Sequence, residues 1–206
     1  MRNSILLILP LLLALLFIGC GGKPPEKIVV PEVFEVKFDT SKGDVIVEAH
    51  RAWAPRGADR FHELVRMRYF DNNRFFRVLP GFIAQFGVHD KFKVHDVWRK
   101  MFIPDDPPVE KNLRGTLSFA QSDPGTRATE IFINLKDNPD LDEHRFVPFA
   151  KVISGMEAID QFYSGYGELR PKGKGPDSGA LEEEANEYLV PRFPKLDYIK
   201  TARFVQ

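Results

Sequence analysis

The sequence predicts a mainly β fold, an antiparallel barrel capped by two α-helices, and three observations carry that reading. Short segments with alternating apolar residues recur between turn residues, the pattern of half-buried strands. Residues 75–87 join two such segments through Pro80-Gly81, where Pro pre-sets φ and Gly accepts a positive φ. Two stretches beginning near Pro55 and Gly155 carry apolar residues at helical spacing, as helices plugging the ends of a barrel would. Closing a sheet on itself also removes the exposed edges that invite pairing with other chains. A length of 206 residues suits one domain with appendages, and 43% hydrophobic content suits a real core. Lys and Arg together number 29, as do Asp and Glu, so charge argues against a nucleic-acid surface.

Residues 1–19 read as a secretory signal. Arg2 precedes the apolar run Ile5–Ile18, which ends at Gly19-Cys20. The run is short for a membrane span and Pro10 interrupts it, although an uncleaved anchor is the alternative. Cys20 is the single cysteine, so no internal disulfide can form. Phe17-Ile18-Gly19-Cys20 resembles a bacterial lipobox, with Phe17 where leucine is usual. That resemblance implies a lipid on the Cys20 thiol, against the plainer reading of an incidental cysteine in an ordinary signal. Residues 20–31, rich in Gly and Pro, then serve as a tether.

The folded domain spans residues 32–206. Phe34, Val36 and Phe38 alternate with charged residues, and Ser41-Lys42-Gly43 turns the chain into Val45-Ile46-Val47, a hairpin. Pro55 opens a helix whose Ala58, Phe61, Leu64 and Val65 face the core, with Asp59, Arg60, Glu63 and Arg66 opposite. Residues 88–114 read as an irregular loop held by Trp98 and Phe102. His89-Asp90 and His95-Asp96 within it are read as loop polar groups, not metal ligands. Strands follow at Gly115–Ala120, Glu130–Asn134 and Val147–Val152, then a helix over Gly155–Tyr163 with Met156, Ile159 and Phe162 on one face. The glycine-rich stretch Gly165–Pro176 lacks the Gly-Lys-Ser/Thr of a phosphate loop and reads as a surface loop. Leu181, Ala185, Tyr188 and Leu189 suit one short helix, and Leu196–Val205 closes the domain as a strand.

Within residues 75–87 only Arg77 and Gln85 carry polar side chains. The plain reading is an arginine snorkelling from a barrel edge. The stretch also resembles the signature of the cyclophilins, peptidyl-prolyl cis–trans isomerases, which carry aromatic-x-Arg-x-x-Pro-Gly-Phe-x-x-Gln-x-Gly. Phe75, Arg77, Pro80, Gly81, Phe82, Gln85 and Gly87 match it. The resemblance continues through Gly115–Ala120 and Glu130–Asn134, from about Val33 to Val205. It implies eight closed strands, where the sequence unaided marks seven or eight. It also implies that Arg77 is catalytic with Gln85, that Phe82, Ile83, Phe132 and Leu141 hold the proline ring, and that Ala120-Gln121-Ser122 offer backbone to peptide. For Phe132, burial in the core is the alternative.

Several positions depart from the family pattern. Phe76 stands for a histidine, Gln121 for asparagine, Glu130 for glutamine, Asp140 for tryptophan and Phe146 for histidine. Glu130 adds a charge expected to face the groove of Arg77, and the changes at Asp140 and Phe146 put cyclosporin-type inhibitor binding in doubt. The expected function is isomerisation of X–Pro bonds in extracytoplasmic proteins, from a lipid-anchored monomer needing no cofactor or metal. Its expected partners are proline-containing client segments and the membrane. The rival is a module of the same shape that holds peptides without turnover.

Overall fold

The computed structural model describes residues 29–205. The expected signal, Cys20 and the first part of the tether lie outside the described residues. The first hairpin joins β1 (Val33–Thr40) to β2 (Gly43–His50), with Phe38 opposite Val45. Its burial alternates residue by residue, as the pattern of charged and apolar side chains requires. The remaining strands are β3 (Asn73–Arg74), β4 (Arg77–Leu79), β5 (Ile83–Phe86), β6 (Thr116–Phe119), β7 (Ile131–Asn134), β8 (Pro148–Ser154) and β9 (Tyr198–Phe204). All pair antiparallel in one curled sheet, ordered β3-β9-β1-β2-β8-β6-β7-β5-β4.

This half-barrel corrects the expectation of eight closed strands: among the described residues there are nine, in an open order. The extra strand arises where residues 73–79 change face. Phe75 and Val78 both enter the main core, and an odd separation cannot do that under strict alternation. The ladder therefore breaks at Phe75 and Phe76, leaving β3 paired with β9 and β4 paired with β5. Phe76 turns away from Phe75 into a second apolar cluster with Leu181, Tyr188, Leu189 and Phe193. An aromatic residue at position 76 is thus covered by the chain's own C-terminal segment.

Helix α1 (Pro55–Arg66) starts on Pro55 and buries Ala58, Phe61, Leu64 and Val65 over the sheet. Arg60 departs from its expected place on the outer face: it is buried, donating to Met101 O at 2.6 Å and Ala128 O at 3.1 Å. Two carbonyl acceptors and the Trp98 ring, 5.5 Å from the guanidinium, make that burial tolerable. Residues 88–114 contain α2 (Phe92–Trp98); of the two aromatic residues expected to hold this loop, Trp98 packs on the core while Phe102 remains 57% exposed. A five-residue α3 (Pro139–Glu143) follows β7. The expected helix over 155–163 is regular only as α4 (Met156–Ile159), although Ile159 and Phe162 are both buried. The single helix expected around Leu181 is two, α5 (Ser178–Glu184) and α6 (Asn186–Arg192), because Ala185 at φ 51° breaks the run. No helix among the described residues is long and apolar enough to cross a membrane.

Candidate active site

The β4–β5 register places Arg77 directly opposite Gln85, and the next ladder places Gln85 opposite Phe132. Directly paired residues project to the same face. Alternation then sends Val78, Ala84 and Phe86 into the core while Arg77 and Gln85 rise on the outer face. Pro80-Gly81 makes the intervening turn, with Gly81 at φ 68° and the Phe82 N–H donating to Leu79 O. Gly87, at φ 119°, admits close approach of the neighbouring strand: a Cβ there would lie 2.3 Å from Thr129 O. That approach fixes the backbone from which Glu130 projects.

A polar chain runs across this face. Arg77 Nη1 donates to Gln85 Oε1 at 3.1 Å, and Gln85 Nε2 donates to Glu130 Oε2 at 2.7 Å. Since Arg77 can only donate, the Gln85 carbonyl must face it, and the amide NH2 is left for the Glu130 carboxylate. Glu130 thus shares this face with Arg77 but does not pair with it directly, because Gln85 stands between them. The ionic partner of Arg77 is Glu168, which accepts from Nε and Nη2 at 2.6 Å each. Burial pushes the Glu130 carboxyl up to about 7, the hydrogen bond from Gln85 opposing the shift. The Arg77 hydrogen bonds hold Glu168 below the ordinary carboxylate value.

On one side of this chain lies an apolar patch. The Phe132 ring meets that of Phe146 edge to face at 5.5 Å, and the Arg77 guanidinium lies 5.8 Å from the Phe82 ring. Phe132 projects outward with Gln85, so its burial belongs to the site and not to the main core. Asn138 donates to Phe82 O at 3.0 Å and Asn134 Oδ1 at 2.8 Å, pinning α3 and Leu141 beside the β4–β5 turn. Buried Asn112 donates to Phe146 O at 2.7 Å and fixes that residue's backbone. On the other side opens a cavity of about 430 Å³, lined by Gln85, Ala120, Gln121, Ser122 and Glu130. The candidate residues thus fall on two sides of Gln85: Phe82, Ile83, Phe132, Leu141 and Phe146 with the apolar patch, which Arg77 adjoins, and Ala120, Gln121, Ser122 and Glu130 about the polar cavity.

Sequence reasoning did not place Glu168, Asn112 or Asn138 at the site, nor three ionisable residues that also line the polar cavity, His95, Arg99 and Glu182. His95 is buried with Nδ1 3.1 Å from the Tyr69 hydroxyl, and burial lowers its pKa to about 4, so the ring is neutral. Asp96 points elsewhere, toward Arg99 and Lys100. Among the described residues no three His, Cys, Asp or Glu side chains gather as metal ligands.

Residues 35–175 match the family model described as cyclophilin type peptidyl-prolyl cis–trans isomerase/CLD, and the chain belongs to that family. It is 32% identical over 134 residues to peptidyl-prolyl cis–trans isomerase-like 3 of Rhizopus delemar, covering 60% of this chain and 77% of that one. It is 29% identical to a peptidyl-prolyl cis–trans isomerase of Acinetobacter baylyi, across 61% of this chain and 70% of the relative. In fold it is similar to a cyclophilin type peptidyl-prolyl cis–trans isomerase of Cryptosporidium parvum solved in the presence of the dipeptide Ala-Pro. That match has a TM-score of 0.60 at 22% identity, over 84% of this chain and 99% of the other.

Proposed function

We propose that the protein isomerises X–Pro bonds in extracytoplasmic clients, with Arg77 as the catalytic donor. The reading rests on one observation above the rest: Arg77 is held beside an apolar patch with part of its guanidinium free. Of five N–H donors, Glu168 takes two and Gln85 one, which leaves one each on Nη1 and Nη2. Rotation about X–Pro must overcome a barrier of about 20 kcal/mol from amide resonance, and uncatalysed exchange takes on the order of 10–100 s. As the amide twists, resonance is lost and the nitrogen regains a lone pair. A proline ring lodged against Phe132, Phe82 and Leu141 brings that nitrogen toward the free N–H groups. A hydrogen bond that strengthens only in the twisted state accelerates rotation. Gln85 and the backbone of Ala120-Gln121-Ser122 would hold the flanking peptide. No step calls for a cofactor.

The test is a proline-isomerisation assay on full-length protein in detergent, beside Arg77→Ala. Acceleration by the wild type and loss of most of it in the variant is expected; equal rates with matching circular dichroism would remove Arg77 from the mechanism.

The same proposal extends to residues 1–31. Residues 1–19 would direct export, Cys20 would carry lipid, and the tether would hold a monomeric domain at a membrane face outside the cytoplasm. Stable anchoring by lipid needs more than one acyl chain, as a modified terminal cysteine can supply. Intact mass of membrane-extracted protein should show a lipidated chain starting at Cys20, and Cys20→Ser should release it. An unmodified chain starting elsewhere would end the anchoring proposal without touching the isomerase one.

A further inference from the structure

We propose that Glu168 is a positioning residue for the reaction, and that the glycine-rich stretch 165–176 exists to present its carboxylate to Arg77. The inference rests on Arg77 being the catalytic donor. Glu168 meets the guanidinium with both oxygens at 2.6 Å, the bidentate geometry that fixes direction as well as distance. The two residues are 91 positions apart, so the contact is tertiary and depends on how the distant loop is held.

The loop is built tightly around residue 168. The Gly175 N–H donates to Glu168 O at 2.8 Å, and the Gly173 N–H donates to Leu169 O at 3.0 Å. A Cβ at Gly173 would fall 2.3 Å from Glu168 O, so that backbone approach requires glycine there. The Leu169 N–H also donates to Glu168 Oε1 at 2.7 Å and orients the carboxylate. The second apolar cluster holds both partners, since it contains Phe76, next to Arg77, and packs against Leu169, next to Glu168. An ordinary surface ion pair has none of this support.

The clamp leaves the working donors open. It occupies Nε and one hydrogen of Nη2, Gln85 takes one of Nη1, and the last hydrogen on each terminal nitrogen stays free for peptide. An arginine side chain otherwise samples many rotamers, and Glu168 confines it before substrate arrives. Orientation is therefore fixed on folding and not at each encounter.

The decisive measurement is a double-mutant cycle on full-length protein in detergent, following isomerisation of a proline peptide. Glu168→Gln should lower kcat/KM about tenfold, short of the 10²-fold that full misplacement costs. Gly173→Ala, which changes no charge, should lower it in the same direction. In an Arg77→Ala background, Glu168→Gln should change the rate less than twofold, because the residue acts through Arg77. An equal fractional loss in both backgrounds would mean a general structural role and overturn the inference. A faster Glu168→Gln would make the clamp inhibitory and overturn it as well. An inactive wild type would remove the isomerase reading and this one together, whereas an active wild type indifferent to Glu168→Gln removes this one alone.

Discussion

Two arginines in this molecule make carboxylate pairs of opposite character. Arg127 is enclosed: its side chain is 2% exposed and its partner Asp106 is 0% exposed. Both terminal nitrogens of Arg127 lie 3.1 Å from Asp106 Oδ2, Nη2 also donates to Pro104 O, and Nε lies 3.5 Å from Asp105. Asp106 in turn accepts from the Arg56 and Gly57 N–H groups at the start of α1. Arg77 is equally well paired on one edge, but its other edge adjoins an apolar patch and keeps free donors. The difference teaches what a paired cation can do. Closed on every side it joins elements of the fold, here a loop to a helix terminus; left with one free edge it can act on a third party.

Asp106→Ala should have the largest effect. Removing one member of a buried pair strands the other charge, so a loss of about 3–5 kcal/mol of stability is expected in urea denaturation. The isomerase rate per folded molecule should be unchanged. A loss below about 1 kcal/mol would show that the Arg127 pair is no more structural than the Arg77 pair. Arg77→Ala should do the reverse, with about a 10²-fold loss of rate and a stability change of no more than about 1 kcal/mol, because its pair is partly solvated.

Much of this contrast was hidden in the sequence, for reasons of distance. Alternation and the Pro80-Gly81 turn placed Arg77 and Gln85 correctly, since a hairpin register is local. The resemblance supplied the candidate pocket residues, and period 3.6 marked the core face of α1. Nothing local signals that Glu168 returns to Arg77, or that Arg60 finds carbonyl acceptors at Met101 and Ala128. Such pairings depend on where loops without periodicity come to rest. The split of residues 73–79 into β3 and β4 was hidden likewise, because two adjacent phenylalanines read the same whether they face one core or two. Phe76 departs from the family pattern, and the cover that α5 and α6 give it was not legible in the sequence.

Glu130 should give a smaller effect. Its carboxyl is raised from 4.5 to about 7 by burial, so the folded protein holds its proton more tightly than the unfolded chain. The stability this contributes is fully present below about 4.5 and is lost as pH rises through about 7. Glu130→Gln should flatten that part of the stability profile; identical profiles for the two proteins would count against the burial. Because Gln85 separates residue 130 from the guanidinium, the variant should keep its isomerisation rate within about twofold. A tenfold fall with the fold intact would show that the ionised carboxylate is needed to orient Gln85.

If the free edge of Arg77 drives turnover of a bound proline peptide, exchange NMR will see it. A proline-containing peptide in large excess over full-length protein would be followed for cis–trans exchange cross-peaks, beside the Arg77→Ala variant. Strong cross-peaks are expected with catalytic amounts of wild type and their near disappearance in the variant, while peptide line-broadening shows that binding persists. Binding without exchange in the wild type would contradict that role of Arg77, and would make the molecule a holder of peptides instead of an isomerase.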